Sequence, residues 1–309
     1  MTKLAAISVD LDEVGCYAAI HGVDLPTGEA RHAVYDRCLP RIQAWLAEEQ
    51  IPATFFAIGA DLARDENQAA LRGLRDAGHE IGNHSFSHHY DLTRRPRQTI
   101  RSDIERCSNA IANACGRRPT GFRAPGYTIN DTMFEELADL GFAYDSSVFS
   151  SPAYYAAKLA VLGWMGARGR TSQSIVGPMS VCIAPRNPYR VGQPYWRRGS
   201  GIVELPVGVT RLGLPFIGTA LVTAGALGAR ALTLGMRGRA FVQIELHGFD
   251  VADAASDGLE AFVSHRPDLR RSGAAKLDVL RAVVLELRQA GYRFTTLEDA
   301  ARSTLAANR

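Results

Sequence analysis

The stretch Leu4-Ala5-Ala6-Ile7-Ser8-Val9-Asp10-Leu11-Asp12 passes from an apolar, strand-like segment directly into two carboxylates. A second apolar run, Ala53-Thr54-Phe55-Phe56-Ala57-Ile58, precedes a helical pattern that ends at Gly78, and further strands and helices alternate after it. This order predicts an α/β protein with a parallel sheet or barrel. In such folds the side chains that carry chemistry collect at the carboxyl ends of the strands, where Asp10 and Asp12 stand.

Composition limits the classes of protein that need to be considered. With 309 residues, 46% of them hydrophobic, and a formal net charge of +3, the chain can bury a core as a single domain, 1–309. Its arginines are scattered, which disfavours nucleic acid as a partner. The five cysteines lack Cys-x-x-Cys spacing, so we expect reduced thiols. Met1-Thr2-Lys3 leads straight into the first strand, which predicts a cytoplasmic protein without a signal peptide. The oligomeric state is not predicted.

Two segments interrupt the alternation. Residues 150–201 are predicted to be an insertion that shapes substrate access. The apolar segment Leu212 to Met236 approaches membrane-spanning length, but Pro215, its glycines and Arg230 disfavour a span, so a buried helix is expected. The alternative is a surface that contacts the inner membrane face or a lipid-linked substrate, because cationic residues accompany the segment: Arg211, Arg230, Arg237 and Arg239.

A histidine pair follows another strand-like run, in Asn83-His84-Ser85-Phe86-Ser87-His88-His89. His84 and His88 can reach one cation from neighbouring turns, and the carboxylate of Asp12 can complete a His₂Asp set with a fourth position left open. One divalent ion there would activate water and polarise an amide carbonyl. Asp10 points to the same face as Asp12 because side chains alternate along a strand, and we predict that it is the general base. An isolated Asp-x-Asp would more often be a solvated loop, and an isolated histidine pair a surface feature.

Five motifs together resemble those of a known family. Asp10-Leu11-Asp12, His84-x-x-x-His88, Phe122-Arg123-Ala124-Pro125, Asp145-Ser146-Ser147 and Leu246-His247 occur in the order of the motifs of the NodB-homology polysaccharide deacetylases, carbohydrate esterase family four. The resemblance implies a distorted (β/α) barrel with seven or eight strands and removal of acyl groups from sugars. It also implies one divalent metal, usually zinc, with Co²⁺, Ni²⁺, Mn²⁺ and Fe²⁺ as alternatives. The Asp-x-Asp first motif is similar to that of a branch that includes cyclic imidases and ureide hydrolases.

The third motif predicts groups that support the general base and the oxyanion. Arg123 is expected to orient Asp10 through a bidentate contact and to hold it ionised. The main-chain N–H of Gly126 or of Tyr127 is expected to face the developing oxyanion, a task that needs no side chain.

The last motif predicts the general acid. His247 closes a buried-looking strand and is expected to protonate the leaving amine, and the resemblance implies that Asp145 pairs with it. Glu245 is expected beside the acyl group, which leaves N-acetyl and N-formyl substrates both open. Tyr17 and His21, on the segment after Asp12, are expected to contact substrate.

These expectations combine into one functional hypothesis with two alternatives. The chain is predicted to be a metal-dependent amide hydrolase, an N-deacetylase or N-deformylase of a nucleotide-linked or lipid-linked amino-sugar intermediate. The first alternative is a cyclic imide or ureide hydrolase, which the Asp-x-Asp and Arg-Ala-Pro-Gly forms favour. The second is a non-catalytic binding protein that keeps the fold and the metal.

Overall fold

The computed structural model describes residues 3–307. Met1 and Thr2, which the sequence analysis placed before the first strand, and residues 308–309 of the predicted single domain lie outside the described residues. The strands are β1 (Lys3–Asp10), β2 (Thr54–Ala57), β3 (Glu80–Asn83), β4 (Gly121–Phe122), β5 (Tyr144–Asp145), β6 (Tyr189–Val191), β7 (Arg198–Glu204), β8 (Phe241–His247) and β9 (Tyr292–Phe294). The helices are α1 (Val14–His21), α2 (Leu39–Glu48), α3 (Asp65–Asp76), α4 (Arg97–Cys115), α5 (Asp131–Asp139), α6 (Pro152–Gly166), α7 (Gly218–Leu234), α8 (Ala254–Asp257), α9 (Gly273–Gln289) and α10 (Leu297–Ala307).

The strands form one curled sheet in the order β6-β7-β5-β4-β3-β2-β1-β8, with β9 paired to the first part of β1. Within the described residues every strand pair is parallel except β6 with β7. Beyond β7, Val209 bridges Pro215 and Ile217 bridges Glu245 of β8, so irregular chain spans the gap between the outer strands. The predicted α/β class and distorted barrel are confirmed. The strand count is nine because the short strands β6 and β9 add to the main run.

Strand β1 is covered on both faces, as a central parallel strand must be. Ile7 and Val9 pack into the main core with residues such as Trp45, whereas Ala6 belongs to a separate cluster with Phe56. Because alternate side chains point to opposite faces, Asp10 lies on the face of Ala6, inside the curled sheet. All five cysteines are free, as predicted.

The helical part of the chain between α1 and β2 consists of three pieces. A 3₁₀ turn, Gly28–His32, is followed by a π-helical turn, Val34–Cys38, and only then by α2. Pro40 lies in the first turn of α2, where its missing N–H costs nothing because no intrahelical acceptor is available there. Pro40 is therefore compatible with the start of α2.

The predicted insertion, residues 150–201, ends too late in the sequence. Its first part is α6, which begins where the Ser151 side chain accepts a hydrogen bond from the N–H of Tyr154. Its last residues belong to β6 and β7, and β7 pairs in parallel with β5 in the main sheet. The sequence does not show that this segment joins the sheet, because the arginines and glycines of β6 and β7 are more typical of a loop than of strands. The part outside the sheet is residues 150–188.

The apolar segment Leu212 to Met236 is only partly the buried helix that was expected. Helix α7 starts at Gly218 and is interrupted at Gly225, whose φ of 68° and ψ of −174° are not helical. Leu212 is 88% exposed and Leu227 is 85% exposed, so the apolar residues do not all face the core. No helix in the described part of the chain combines the length and the hydropathy needed to cross a membrane.

Gly121 in β4 provides a test of the packing inside the sheet. A Cβ atom at this position would overlap the ring of Tyr144, and that ring is fixed because its hydroxyl donates to Glu80 at 2.6 Å. We expect Gly121→Ala to lower the free energy of unfolding by roughly 1–3 kcal/mol, measured by urea denaturation. Gly73→Ala in α3, where a Cβ meets nothing, is the control and should be neutral or slightly stabilising. Equal stability of the two variants would contradict this account of the interior.

Candidate metal centre

Three potential metal ligands converge beyond the ends of β1 and β3. The Oδ1 atom of Asp12 lies 3.1 Å from Nε2 of His84 and 3.2 Å from Nε2 of His88. All three residues are buried, and their ligand atoms lie within 4.8 Å of one another. Around a tetrahedral ion with bonds of about 2.0–2.2 Å, adjacent ligand atoms are roughly 3.4 Å apart. The three side chains therefore fit one small divalent cation.

The chemistry of these atoms also fits a cation. Within the described residues, neither Oδ1 of Asp12 nor Nε2 of His88 has a partner with hydrogen-bond geometry, although both are buried. Burial alone would raise the pKa of Asp12, but the adjacent His88 and His84 hold that pKa well below its usual value. The carboxylate is therefore ionised, as a ligand must be. Two imidazoles and a carboxylate suit zinc and other first-row divalent ions.

His84 is oriented by a main-chain contact. Its Nδ1 atom lies 2.8 Å from the carbonyl oxygen of Arg123, so Nδ1–H donates there and the lone pair of Nε2 faces Asp12. This is the kind of contact that fixes the tautomer of a metal-binding histidine.

Both histidines lie on a loop between β3 and α4 and not at the start of a helix. Ser85 and His88 have positive φ values of 63° and 50°, which residues other than glycine adopt rarely. The loop keeps this shape because Asn83 accepts from the N–H of Ser85 at 2.8 Å and Asp103 of α4 accepts from the N–H of Phe86 at 2.8 Å. The sequence analysis missed Asn83 and Asp103 as supports of the site.

Arg123 orients the predicted base, but not in the expected bidentate way. Its Nη1 atom donates to Oδ1 of Asp10 at 2.7 Å and to Oγ of Ser8 at 2.9 Å, while Nε and Nη2 donate to Ser146. The guanidinium is fully buried and lies 4.4 Å from the ring centre of Phe56. Because the other nitrogens are committed to Ser146, only one remains for the carboxylate, and the bidentate prediction is wrong.

Glu245, not Asp145, is the partner of His247. Nδ1 of His247 lies 2.7 Å from Oε1 of Glu245, and Nε2 lies 3.8 Å from Oδ2 of Asp12. Burial alone would lower the pKa of His247, but the charge of Glu245 raises it to about 10. Glu245 is fully buried and does not lie where an acyl group could be contacted, so its predicted position beside the substrate is wrong. Residues two apart on β8 share a face, which places Glu245 behind His247.

Asp145 supports the third-motif loop instead. Its carboxylate accepts from the N–H and the hydroxyl of Ser147, both at 2.8 Å, and Oγ of Ser147 accepts from the N–H of Ala124 at 2.8 Å. The predicted contact between Asp145 and His247 is wrong because this carboxylate is already occupied inside the sheet.

The backbone after Arg123 turns sharply at the predicted oxyanion donors. Gly126 and Tyr127 have φ values of 58° and 59°, and a Cβ at Gly126 would lie 2.9 Å from the ring of Tyr90. The N–H of Tyr127 donates to the carbonyl of Ala124 at 3.0 Å. Of the two predicted donors, this leaves Gly126 as the candidate.

A cavity of about 630 Å³ opens beside these groups, and both Asp12 and His247 line it. The predicted substrate contacts Tyr17, His21, Gly126 and Tyr127 all lie on its wall. Burial and the adjacent Arg266 lower the pKa of His21 to about 4, so this ring is neutral at pH 7.

Three tyrosine hydroxyls at this cavity are available to form hydrogen bonds with a ligand. The hydroxyls of Tyr17, Tyr90 and Tyr127 are buried and lack a hydrogen-bond partner among the described residues, and all three side chains line the cavity. Tyr17 is held in place by stacking on Phe249, with ring centres 3.7 Å apart. The sequence analysis missed Tyr90, although it lies only two residues after His88.

Comparisons of the sequence with known proteins match part of the chain, which includes His84, His88 and Arg123. Residues 32–144 match the family model described as polysaccharide deacetylase. A peptidoglycan deacetylase of Helicobacter pylori is 29% identical over 147 residues, which are 47% of this chain and 49% of that protein. A chitooligosaccharide deacetylase of Sinorhizobium fredii is 34% identical over 105 residues, 34% of this chain and 47% of that protein. The chain spans about half the length of these curated relatives.

The fold has been seen in a solved structure as well. A protein of Mycobacterium smegmatis assigned to the polysaccharide deacetylases superposes with a TM-score of 0.63 and 19% identity, over 100% of this chain and 92% of that chain. The match over residues 32–144 is to the family whose motifs the sequence resembles, and the superposition shows that the chain shares the fold of that solved structure. The resemblance drawn from the five motifs is confirmed.

Metal analysis tests the centre directly. We expect purified protein to hold about one divalent ion per chain, because the three ligand atoms converge on one point, and His88→Ala to lose it. His89→Ala is the matched control, since this neighbouring imidazole is not part of the cluster and its removal should leave the metal content unchanged. Elemental analysis of dialysed samples measures both. Equal metal content in the two variants would remove His88 from the ligand set.

The contact between Glu245 and His247 can be tested by measuring the pKa of His247. Replacing the carboxylate in Glu245→Gln removes the charge that raises the pKa of His247, so that pKa should fall by roughly one unit or more. Proton NMR of the metal-free protein measures it. Asp145→Asn changes the hydrogen-bond partner of Ser147 and is the control, because it should leave the pKa of His247 unchanged. A larger shift in Asp145→Asn than in Glu245→Gln would restore the original pairing.

Proposed function

We propose that the protein is a metal-dependent amide hydrolase that removes the N-acyl group of an amino sugar. The observation that carries the proposal is the convergence of Asp12, His84 and His88 beside a cavity whose wall includes Asp12 and His247. The match of residues 32–144 to the polysaccharide deacetylase model supports it, since the relatives matched are described as deacetylases of peptidoglycan and of chitooligosaccharides.

In the first part of the reaction, water attacks the amide carbonyl, and the metal site and the general base have separate roles. A divalent ion held by Asp12, His84 and His88 would supply Lewis acidity to the amide carbonyl and acidify water. Asp10, whose Oδ2 atom lies 3.8 Å from Nε2 of His84, accepts the proton of the attacking water. Arg123 holds the other oxygen of Asp10, so the free oxygen keeps a constant position.

The second part requires a proton for the leaving nitrogen. As the C–N bond breaks, protonated His247 gives its Nε2 proton to the amine, and Glu245 stabilises the protonated ring beforehand. The N–H of Gly126 stabilises the negative charge that develops on the carbonyl oxygen. The products are a carboxylate and a free amino sugar.

The cavity supports a sugar substrate with polar groups. The three unpartnered hydroxyls of Tyr17, Tyr90 and Tyr127 can bind sugar hydroxyls, and aromatic rings suit the apolar faces of a pyranose. Because Glu245 does not line the cavity, it gives no reason to prefer a formyl over an acetyl group. Zinc as the ion and a cytoplasmic location stay predictions from the sequence.

A second candidate function is ring opening of a cyclic imide or ureide. The observation that favours it is the Asp10-Leu11-Asp12 form of the first motif together with Arg123-Ala124-Pro125-Gly126. The chemistry is again attack on an amide carbonyl, so the same residues would serve, but both products would stay joined. A non-catalytic binding protein is disfavoured, because such a protein would not need an Asp10–Arg123 pair beside a raised-pKa histidine.

The role of Asp10 can be tested by separating metal binding from turnover. Asp10→Asn should keep the metal content and lower kcat by roughly 10²–10⁴-fold, because the amide cannot accept the proton. The assay measures acetate and formate release from N-acylated amino sugars alongside ring opening of a small imide. Asp65→Asn on the exposed side of α3 is the control and should retain wild-type rates.

Circular dichroism verifies that Asp10→Asn remains folded, since its partner Arg123 is buried. Wild-type rates in Asp10→Asn would remove this residue from the mechanism. Wild-type activity on imides alone would replace the sugar substrate with the second candidate. No activity on any of these compounds would favour the binding protein.

A further inference from the structure

Lys158 is a cation beside the candidate metal centre that has no counter-ion within residues 3–307. It is one of three lysines in the chain and stands in the apolar helix α6. Its Nζ atom lies 3.8 Å from the place where a Cβ on Gly126 would be, and 5.8 Å from the ring centre of Tyr154. Among the residues that the structure describes, it forms no ion pair and no hydrogen bond.

The charge of Lys158 is present at neutral pH. Burial lowers the pKa of this amine to about 8, which keeps most of the population protonated at pH 7. Arg266 also lies on the cavity wall, but this cation has a counter-ion. Its Nε atom donates a hydrogen bond to Oδ1 of Asp268 at 2.8 Å. A partly buried charge without a partner is costly, and an anion in the cavity would remove that cost.

The same cavity continues as an apolar groove between α6 and α7. From α6 it is lined by residues at helical spacing, which therefore share one face: Tyr154, Ala157, Lys158, Val161, Leu162 and Met165. From α7 it is lined by Ala220, Thr223 and Ala224, whose small side chains leave the space between the helices open. One cation in an otherwise apolar channel matches a ligand with one negative charge and a long apolar part.

Exposed apolar side chains are concentrated on the same segments. Of the eleven large hydrophobic residues that are exposed within residues 3–307, nine lie between positions 159 and 234: Leu159, Val161, Trp164, Met179, Ile183, Leu212, Leu214, Leu227 and Leu234. Five of the nine lie on the helices that border the groove, α6 and α7, and the other four lie between these helices in the sequence. Isolated exposed apolar residues need no explanation, but such a concentration in one part of the chain is typical of a surface that meets lipid.

We propose that Lys158 binds the phosphate of a lipid-linked amino sugar, and that the groove between α6 and α7 takes the apolar chain attached to that phosphate. This inference rests on the proposed function, in which the N-acyl group of the same sugar reaches Asp12 and His247. The lipid phosphate is chosen over a nucleotide because the groove offers apolar side chains and few polar groups to a base or a second sugar. Lys158 then acts as a specificity-determining residue and the groove as the site for the chain.

Binding of decyl phosphate to the metal-loaded protein tests the inference without turnover. Calorimetry should show tighter binding of decyl phosphate than of ethyl phosphate, by roughly fourfold for each methylene buried. Lys158→Met should weaken decyl phosphate binding by roughly ten- to a hundredfold, and Lys158→Arg should restore most of it. Arg293→Met, which removes an exposed cation on β9, is the control and should bind as the wild type does.

A second variant separates the groove from the cation. Ala224→Glu places a charge in the groove at an exposed position and should remove the advantage of decyl over ethyl phosphate, while ethyl phosphate binds as before. Equal binding of the two phosphates by the wild type, unchanged binding in Lys158→Met, or tighter binding of a nucleotide sugar than of decyl phosphate would each overturn the inference.

Deacetylation assays separate this inference from the proposed function. If the wild type hydrolyses a neutral N-acetylglucosamine dimer and shows no dependence on Lys158 with decylphospho-N-acetylglucosamine, the inference fails and the proposed function stands. If decyl phosphate binds in the expected pattern but no N-acylated sugar is hydrolysed, the proposed function fails and the groove remains a lipid-phosphate site.

Discussion

The buried guanidinium of Arg123 is the constraint on which the site depends. A charge with no access to water must have its N–H groups satisfied inside the protein, and here the partners come from β1 and from the chain after β5. Its main chain also acts, since its N–H donates to Asn83 and its carbonyl accepts from His84. One residue thus connects the base, a metal ligand and three strand ends. Removing its side chain would leave the carboxylate of Asp10 unpaired in the interior, which is the costly way to break a buried ion pair.

Much of this arrangement could be predicted because it follows from local patterns. Apolar runs alternating with helical ones predicted a parallel sheet or barrel, and strand alternation predicted that Asp10 points to the same face as Asp12. The same rule could have identified Glu245 as the partner of His247, because residues two apart on a strand share a face. The family resemblance led to Asp145 instead. The limits of the insertion could not be predicted, because the strand pairing that recruits β7 is made with distant residues.

The residues that the sequence analysis missed are recognisable only in three dimensions. Asp103 lies on α4 and supports the histidine loop across 17 positions of sequence, and no motif marks it. Tyr90 becomes relevant because its hydroxyl is left without a partner at the cavity, which is a property of packing. Lys158 is the one lysine of an apolar helix, and only the three-dimensional structure shows that no acidic side chain of the described residues pairs with it. Local sequence patterns can locate metal ligands at the ends of strands. The wall of the cavity could not be predicted in this way, because its residues come from several elements of the fold.

The left-handed backbone at Ser85 and His88 bears on how the protein chooses its ion. The side-chain oxygens of Asn83 and Asp103 accept hydrogen bonds from the main chain of this loop, and those bonds do not involve the ligand nitrogen atoms. The imidazoles are therefore preorganised by folding and do not wait for a cation to position them. A rigid nitrogen and oxygen set of this kind binds first-row ions in the general order of their intrinsic affinities, so the metal carried in the cell is decided as much by which ion is supplied as by the protein itself.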